Sequence, residues 1–418
     1  MSNENKTIFI QIASYRDSEL PPTVKDCIKN AKYPERLRFG ICRQYAREDK
    51  GIDGLLDYQD DDRFSIMNVN YKKAQGVCWA RNKIQEMYKG EDYALQLDSH
   101  HRFVKDWDEK TIDDLESLRP DHPKPILTAY LPSYDPKQKN SKVMLPWEMR
   151  FDRFLPQGPA MPKPETIDDH KDHDKPVRAY MLSGHFIFTD GDFFDKVPYD
   201  PELYFHGEEI SLAIRAFTHG YDLFAPHRLL AWHHYTREGS KRHWDDINDW
   251  GDRNSKSFER YRKLVKIDKS KPGELGKYGL GKERTLKQYI KYSGIDVTNK
   301  RIHKANLDRQ RAPMKYKPGK YQSGFCKKIR YCIDLFKGAV PLNDYTVWVT
   351  AFKDMEGNEI HRKDLGPNEI NALKNDKDQF CRIWVEFESP TEPVEWMVWP
   401  HSKSKEWCDQ IVNKIEVG

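Results

Sequence analysis

The chain has 418 residues, enough for two domains, with 38% hydrophobic and 12% aromatic residues to fill their cores. No apolar run reaches the roughly 18 residues of a membrane-spanning helix, Met1–Lys6 lacks a signal-peptide core, and seven scattered cysteines without a CxxC pair argue against a structural zinc site or a disulfide scaffold. The expectation is a cytoplasmic protein whose net charge of +4 hides an asymmetry, because residues 256–330 carry 23 Lys and Arg against 6 Asp and Glu.

Thr7–Ala13 reads as a buried strand, followed by the polar turn Ser14–Asp17. Pro21-Pro22 opens a helix to about Ala31, with proline in the first turn, where its missing N–H is not needed. Strands are predicted at Leu37–Arg43, Phe64–Tyr71, Tyr93–Leu97 and Pro125–Leu131, with helices at Val77–Tyr88 and Asp106–Leu118. Strands alternating with helices at this spacing predict an α/β fold with a mostly parallel sheet. Residues 133–176 read as an irregular, proline-rich insertion, with an acidic and histidine-bearing loop at Asp168–Asp174. Arg178–Thr189 is a strand broken at Ser183-Gly184, and Ile210–Thr218 is a helix opened by Gly207-Glu208-Glu209. Tyr221–Pro226 and Leu229–Tyr235 are short strands, and Ser255–Val265 and Lys282–Tyr292 are helices. From about residue 340 the pattern turns β-rich, with strands at Thr346–Phe352, Cys381–Phe387 and Val394–Trp399 and a short helix at Glu369–Lys374. The organisation read from this is a catalytic domain over 1–255, a basic helical extension over 256–335 and a small β-rich domain over 336–418.

The chemistry concentrates at Asp98-Ser99-His100, which closes the Tyr93–Leu97 strand. A carboxylate and an imidazole at a strand's carboxyl end reach the crevice where open α/β sheets bind ligands. They supply part of a divalent-metal site, and a ligand set mixing carboxylate and imidazole suits Mn²⁺ or Mg²⁺ better than Zn²⁺. His233-His234, on a late apolar segment, is the best source of a third ligand. The turn Ala13-Ser14-Tyr15-Arg16 and Arg81, near a helix N-terminus, are placed to meet a nucleotide and its phosphates. Gly184 allows close approach of backbone to a ligand, and one of Glu208 and Glu209 caps a helix while the other is free to hold sugar hydroxyls or steer an acceptor.

These motifs resemble those of the GT-A fold glycosyltransferases. Ile10–Asp17 and Gln96–Phe103 are similar to signatures of the cytoplasmic Skp1-type polypeptide α-N-acetylglucosaminyltransferases and their bacterial relatives. Leu182–Phe188 and Gly207–Arg215 are more distantly similar to the mucin-type polypeptide GalNAc-transferases. In that distant family a metal-binding His stands three residues before an Arg, so His234, followed by Tyr235-Thr236-Arg237, is favoured over His233. The resemblance implies a retaining hexosaminyltransferase. It implies Asp98, His100 and His234 as ligands of Mn²⁺ and a UDP-sugar, UDP-GlcNAc first, held by Ala13, Ser14, Tyr15, Arg16, Arg81, Asp98, Ser99 and Gly184. Glu208 and Glu209 are then the catalytic candidates, and the acceptor is a protein or glycan hydroxyl.

Two other readings share the same residues. A nucleotidyltransferase uses the same sheet edge, but normally carries a Gly-rich loop after the first strand, and Ser14–Ser18 has no glycine. A non-catalytic carbohydrate-binding protein would use the tryptophans of the tail, Trp348, Trp384, Trp396, Trp399 and Trp407. The basic segment is either a solvated surface or a face for anionic lipid or a phosphate-bearing acceptor, with nucleic acid disfavoured.

Overall fold

The computed structural model describes residues 5–415 except 50–57, 59, 156, 237–239, 268–271, 316–320, 324–326, 356 and 390–392. The chain divides into two compact units, residues 1–321 and 322–418.

The first unit begins β1 (Ile8–Tyr15), α1 (Leu20–Asn30), β2 (Leu37–Tyr45), β3 (Phe64–Asn70), α2 (Val77–Gln85), β4 (Tyr93–Asp98), β5 (His101–Phe103), α3 (Trp107–Leu118) and β6 (Pro125–Thr128). It continues β7 (Trp147–Phe154), β8 (Ala160–Thr166), β9 (Val177–Arg178), β10 (Phe186–Asp190), α4 (Phe193–Lys196), α5 (Glu208–Thr218), β11 (Asp222–Ala225) and β12 (Ala231–His233). Then come α6 (His243–Asp246), α7 (Trp250–Leu264), α8 (Leu286–Ser293), β13 (Ile295–Asp296), β14 (Arg301–His303), α9 (Lys304–Leu307) and, at the boundary, β15 (Tyr321–Ser323).

Eight strands form one sheet in the order β3-β2-β1-β4-β10-β6-β11-β9. Strands β3, β2, β1 and β4 run parallel, as do β6 and β11, while β10 runs against both of its neighbours. Ile8, Ile10, Ile12, Leu95 and Leu97 are fully buried against Val24 and Cys27 of α1 and Ile112 and Leu115 of α3. Each such aliphatic side chain contributes about 1.5–3 kcal/mol by leaving water. Phe9 and Cys42 pack on the opposite face with Ala80 and Ile84 of α2. A sheet covered on both faces explains why β1 and β4 read as continuous apolar runs rather than alternating ones.

The register decides where chemistry can occur. Ala13 stands opposite Asp98, so the carboxyl ends of β1 and β4 lie side by side. Because β10 is reversed, its amino end, just after Gly184, reaches the same edge, with Phe186 opposite Leu97. Strand β12 pairs with β5 outside the main sheet and sets His233 opposite His101.

The structure differs from expectation over 133–176. That insertion holds the antiparallel hairpin β7–β8, with Met149, Phe151 and Phe154 buried. Prolines Pro162 and Pro164 masked it in the sequence, but a two-stranded ribbon tolerates them because its edges need no partner. The acidic loop is fastened by an ion pair from Asp169 to Arg311 at 2.8 Å and by a contact of Asp169 with His173 Nε2 at 3.0 Å. The segment read as one broken strand over Arg178–Thr189 is two strands, β9 beside β11 and β10 between β4 and β6.

The second unit contains β16 (Lys327–Phe336), β17 (Tyr345–Lys353), β18 (Glu359–Leu365), α10 (Pro367–Asn375), β19 (Phe380–Ser389), β20 (Glu395–Ser402), β21 (Glu406–Trp407) and β22 (Ile411–Lys414). The β16–β19 pair and the sheet built on β18-β17-β20 share one core of Ile333, Leu335, Trp348, Phe352, Ile383, Trp396 and Val398. Trp348 and Trp396 are therefore core residues, whereas Trp384 and Trp407 are exposed.

Candidate active site

At the carboxyl edge of the sheet, Asp98, His100 and His233 offer ligand atoms within 4.8 Å of one another, the one such group among the described residues. Asp98 is the last residue of β4, and its side chain is 27% exposed while those of His100 and His233 are buried, so the group opens to solvent through the carboxylate. His233 Nε2 lies 3.5 Å and His100 Nε2 3.8 Å from Asp98 Oδ2. Burial works against ionisation of Asp98. The His233 ring and the Arg81 charge outweigh it and hold the carboxyl well below the ordinary range.

Three histidines around Asp98, His101, His185 and His233, are kept neutral. Burial pushes His233 and His101 well below their usual range, and pushes His185 down to about 3. The His185 and His233 rings stack at 4.1 Å. Neutral imidazole is the form that ligates a metal. Nδ1 of His233 and Nε2 of His101 are buried with no hydrogen-bond partner, while Nε2 of His233 faces Asp98. Leaving such groups unsatisfied costs about 1–3 kcal/mol each. A divalent ion held by Asp98, His100 and His233 would relieve part of that cost, and two imidazoles with a carboxylate are a set that first-row divalent metals accept.

His234 is placed differently. Its backbone N–H donates to the His100 carbonyl at 3.1 Å, and its ring lies 5.8 Å from that of Tyr134. His234 is the residue after β12, and the group of ligand atoms within 4.8 Å of one another takes in His233. Arg237 lies outside the described residues.

Across the crevice Arg81 is buried in a polar knot. Its Nη1 pairs with Glu208 and donates to Tyr199 Oη at 3.2 Å, and its Nη2 pairs with Asp98 at 2.7 Å. Burial alone would favour loss of its proton, but Glu208, Tyr199 and Asp98 raise its affinity for the proton well above normal. Gln96 donates to Tyr199 Oη at 2.8 Å and to the Gly184 carbonyl at 2.7 Å. A Cβ at Gly184 would stand 2.5 Å from Glu208 Oε1 and 2.8 Å from Arg81 Nη1, so the ion pair itself requires glycine there. Gly207 caps α5 at φ +91°, a conformation that favours glycine.

The two glutamates part company. Glu208 is buried with Arg81, while Glu209 Oε1 accepts from the Gly184 N–H at 2.7 Å and Oε2 from Tyr130 Oη at 2.7 Å. Burial pushes the Glu209 carboxyl up to about 7.

The predicted nucleotide turn is partly committed to other contacts. Ala13 is half-buried at the register position beside Asp98, and Ser14 is buried, its carbonyl accepting from Gln44 Nε2 at 3.0 Å. Tyr15 Oη donates to Asp246 at 2.9 Å, and Arg16 pairs with Asp49 at 2.6 Å and Asp246 at 3.0 Å. Ser99 Oγ donates inward to Asp17 Oδ2 at 2.7 Å. The structure thus brings together Asp98, His100, Arg81, Gly184, Glu208 and Glu209, sets His234 beside the group and adds His233. Gln96 stood in the Gln96–Phe103 signature without a role, and Tyr130 and Tyr199 carried no signal in the sequence.

No curated protein sequence matches the chain. Among solved structures, GalNAc-T7 with UDP, GalNAc and Mn²⁺ is similar at TM-score 0.47 and 15% identity, covering 62% of this chain and 48% of that one. The chain therefore spans about half the length of that relative. S. aureus TarS 1-349 in complex with UDP-GlcNAc is similar at TM-score 0.38 and 13% identity, covering 65% and 69%. Mannosyltransferase PcManGT from Pyrobaculum calidifontis, in complex with GDP-Man and Mn²⁺, is similar at TM-score 0.39 and 10% identity, covering 65% and 67%. The family model described as Glycosyltransferase (GlcNAc) matches residues 7–65 and 57–299, taking in every residue of the site just described, and the chain belongs to that glycosyltransferase family.

Proposed function

We propose that this glycosyltransferase uses Mn²⁺ and a UDP-sugar, UDP-GlcNAc first, and transfers the sugar with retention to a protein or glycan hydroxyl. The observation that carries the reading is the open carboxylate of Asp98, flanked by His100 and a neutral His233 on one side and by Arg81 on the other. When bound, the metal supplies positive charge to the diphosphate of the departing nucleotide. Arg81 adds a fixed cation, held in place by Glu208 before any substrate arrives. Glu209 sits where a sugar hydroxyl can share its carboxylate with the Gly184 N–H. Both glutamates are engaged, one by a charge and one by two hydrogen bonds. That favours same-face attack, in which a phosphate oxygen of the departing UDP takes the acceptor proton, over a carboxylate nucleophile.

The test is UDP release from a panel of UDP-sugars with Mn²⁺, with and without EDTA. The expected outcome is release from UDP-GlcNAc that EDTA abolishes. Equal release in EDTA overturns the metal reading, and no release from any UDP-sugar overturns the donor reading.

The basic segment supports a narrower partner proposal than its charge suggested. Arg260 is tied to Asp200, Arg284 to Asp222 at 2.9 Å, Arg309 to Glu165 at 2.6 Å and Arg311 to Asp169 at 2.8 Å. Contact with anionic lipid falls to exposed lysines such as Lys282, Lys287 and Lys291 on and before α8. Among the described residues no helix is long and apolar enough to cross a membrane.

A further inference from the structure

The segment that carries the metal-site residues of β4 and β5 is held by side chains from α1 and the turn before it. Thr23 Oγ1 donates to the Ser99 carbonyl at 2.9 Å and accepts from the His101 N–H at 2.9 Å. Asp26 Oδ2 accepts from the Phe103 N–H at 2.7 Å. Asp17 is the member that reaches a ligand ring itself. Its Oδ2 lies 2.7 Å from His100 Nδ1 and 2.7 Å from Ser99 Oγ, while its Oδ1 accepts from the Glu19 N–H at 3.0 Å. Asp17 and His100 are each 3% exposed, so water does not compete for this contact.

A carboxylate only accepts hydrogen bonds, so the imidazole nitrogen facing it carries the proton. In neutral His100 that leaves the lone pair on Nε2, the nitrogen that faces Asp98 and the ring of His233. We propose that Asp17 is a positioning residue for the metal site: it fixes His100 as the Nδ1–H tautomer, makes Nε2 the ligating atom, and joins the turn after β1 to the metal. Such carboxylate–imidazole partners orient a ligand ring and raise its basicity, and their loss typically costs about 10–100-fold in metal affinity. Asp17 is hard to see in the sequence because a turn aspartate before a helix has an ordinary second job, and Asp17 does that job too at Glu19.

The metal half of this inference rests on the function proposed above, and the tautomer half does not. Two measurements therefore separate them: ¹⁵N NMR of the His100 ring in metal-free protein, and Mn²⁺ binding by titration calorimetry with Mn²⁺ alone. The expected wild-type ring is Nδ1–H. Asp17→Ala should lose that tautomer and weaken Mn²⁺ about 10–100-fold, and Asp17→Asn, whose amide oxygen still accepts without charge, should fall between. Asp26→Ala, which loosens the same segment without touching His100, should bind Mn²⁺ within about twofold of wild type. An unchanged His100 tautomer in Asp17→Ala overturns the proposal. So does an equal loss of affinity in Asp26→Ala, which would make Asp17 a fold contact only. A wild-type protein that binds no Mn²⁺ overturns the metal reading, and the tautomer then still decides on Asp17.

Discussion

On the β4–β5–β12 side of the crevice, His233 Nδ1 and His101 Nε2 are buried and unpartnered, and His233 Nε2 faces Asp98 at 3.5 Å. On the α2–α5 side, the Nη atoms of Arg81 and the carboxylates of Glu208 and Glu209 all have partners. Both sides are buried and polar, and both meet at Asp98. The histidine side is costly without a ligand and becomes satisfied with one. The arginine side has its charges paired, although Arg81 Nε and Gln96 Oε1 are buried without a partner, and on the proposed function it would stand ready before the diphosphate arrives. Preorganised charge of this kind needs no rearrangement during reaction. The difference predicts that damage to the two sides will show up in different measurements.

The largest effect is expected on the arginine side. Arg81→Leu strands Glu208 in the interior without a counter-charge and should cost about 3–5 kcal/mol, read from a shift in the urea midpoint. A loss below about 1 kcal/mol would mean that the pair is not buried as described. On the histidine side, His233→Ala should leave thermal stability unchanged or slightly raised while weakening Mn²⁺ at least about 100-fold by calorimetry. His234→Ala is the matched comparison and should keep most of the affinity. If the two swap behaviour, the ligand is His234 and the strand is phased the other way.

The smallest effect concerns Glu209. Its carboxyl titrates near 7 in the folded protein against 4.5 for an ordinary glutamate, so the folded state holds the proton more tightly. Its stabilising contribution is complete below about pH 4.5 and is lost as pH rises through 7. Between pH 5 and 8 wild type should therefore lose about 2 kcal/mol relative to Glu209→Gln, by denaturant midpoints at each pH. Parallel pH profiles would place Glu209 in a wetter setting than its contacts indicate.

Much of this was legible in the chain. The apolar runs of β1 and β4 announced a buried parallel sheet, and Asp98-Ser99-His100 at the end of one of them announced the site. The reversal of β10 was not legible, because strand direction depends on pairing partners far away in sequence. Nor was the place of His233 beside Asp98. Adjacent histidines differ only in which way they face, and that is set when His233 pairs opposite His101. The β7–β8 hairpin did carry a signal: Trp147, Met149 and Phe151 alternate with Glu148, Arg150 and Asp152, a period the surrounding prolines obscured. Asp17 was visible as a turn residue, but its reach to His100 depends on how α1 docks against β5.

The pairing of β12 with β5 carries one more consequence. It brings His233 to Asp98 across a stretch of chain that contains β6, β10, β11, the hairpin and α5, one half of the main sheet. An ion held by both residues is therefore a cross-link that closes a very long loop. Long closures remove the most freedom from an unfolded chain. An ion held there, as proposed, would thus also staple the two halves of the sheet, and occupancy of the site would bear on how firmly the catalytic unit stays folded.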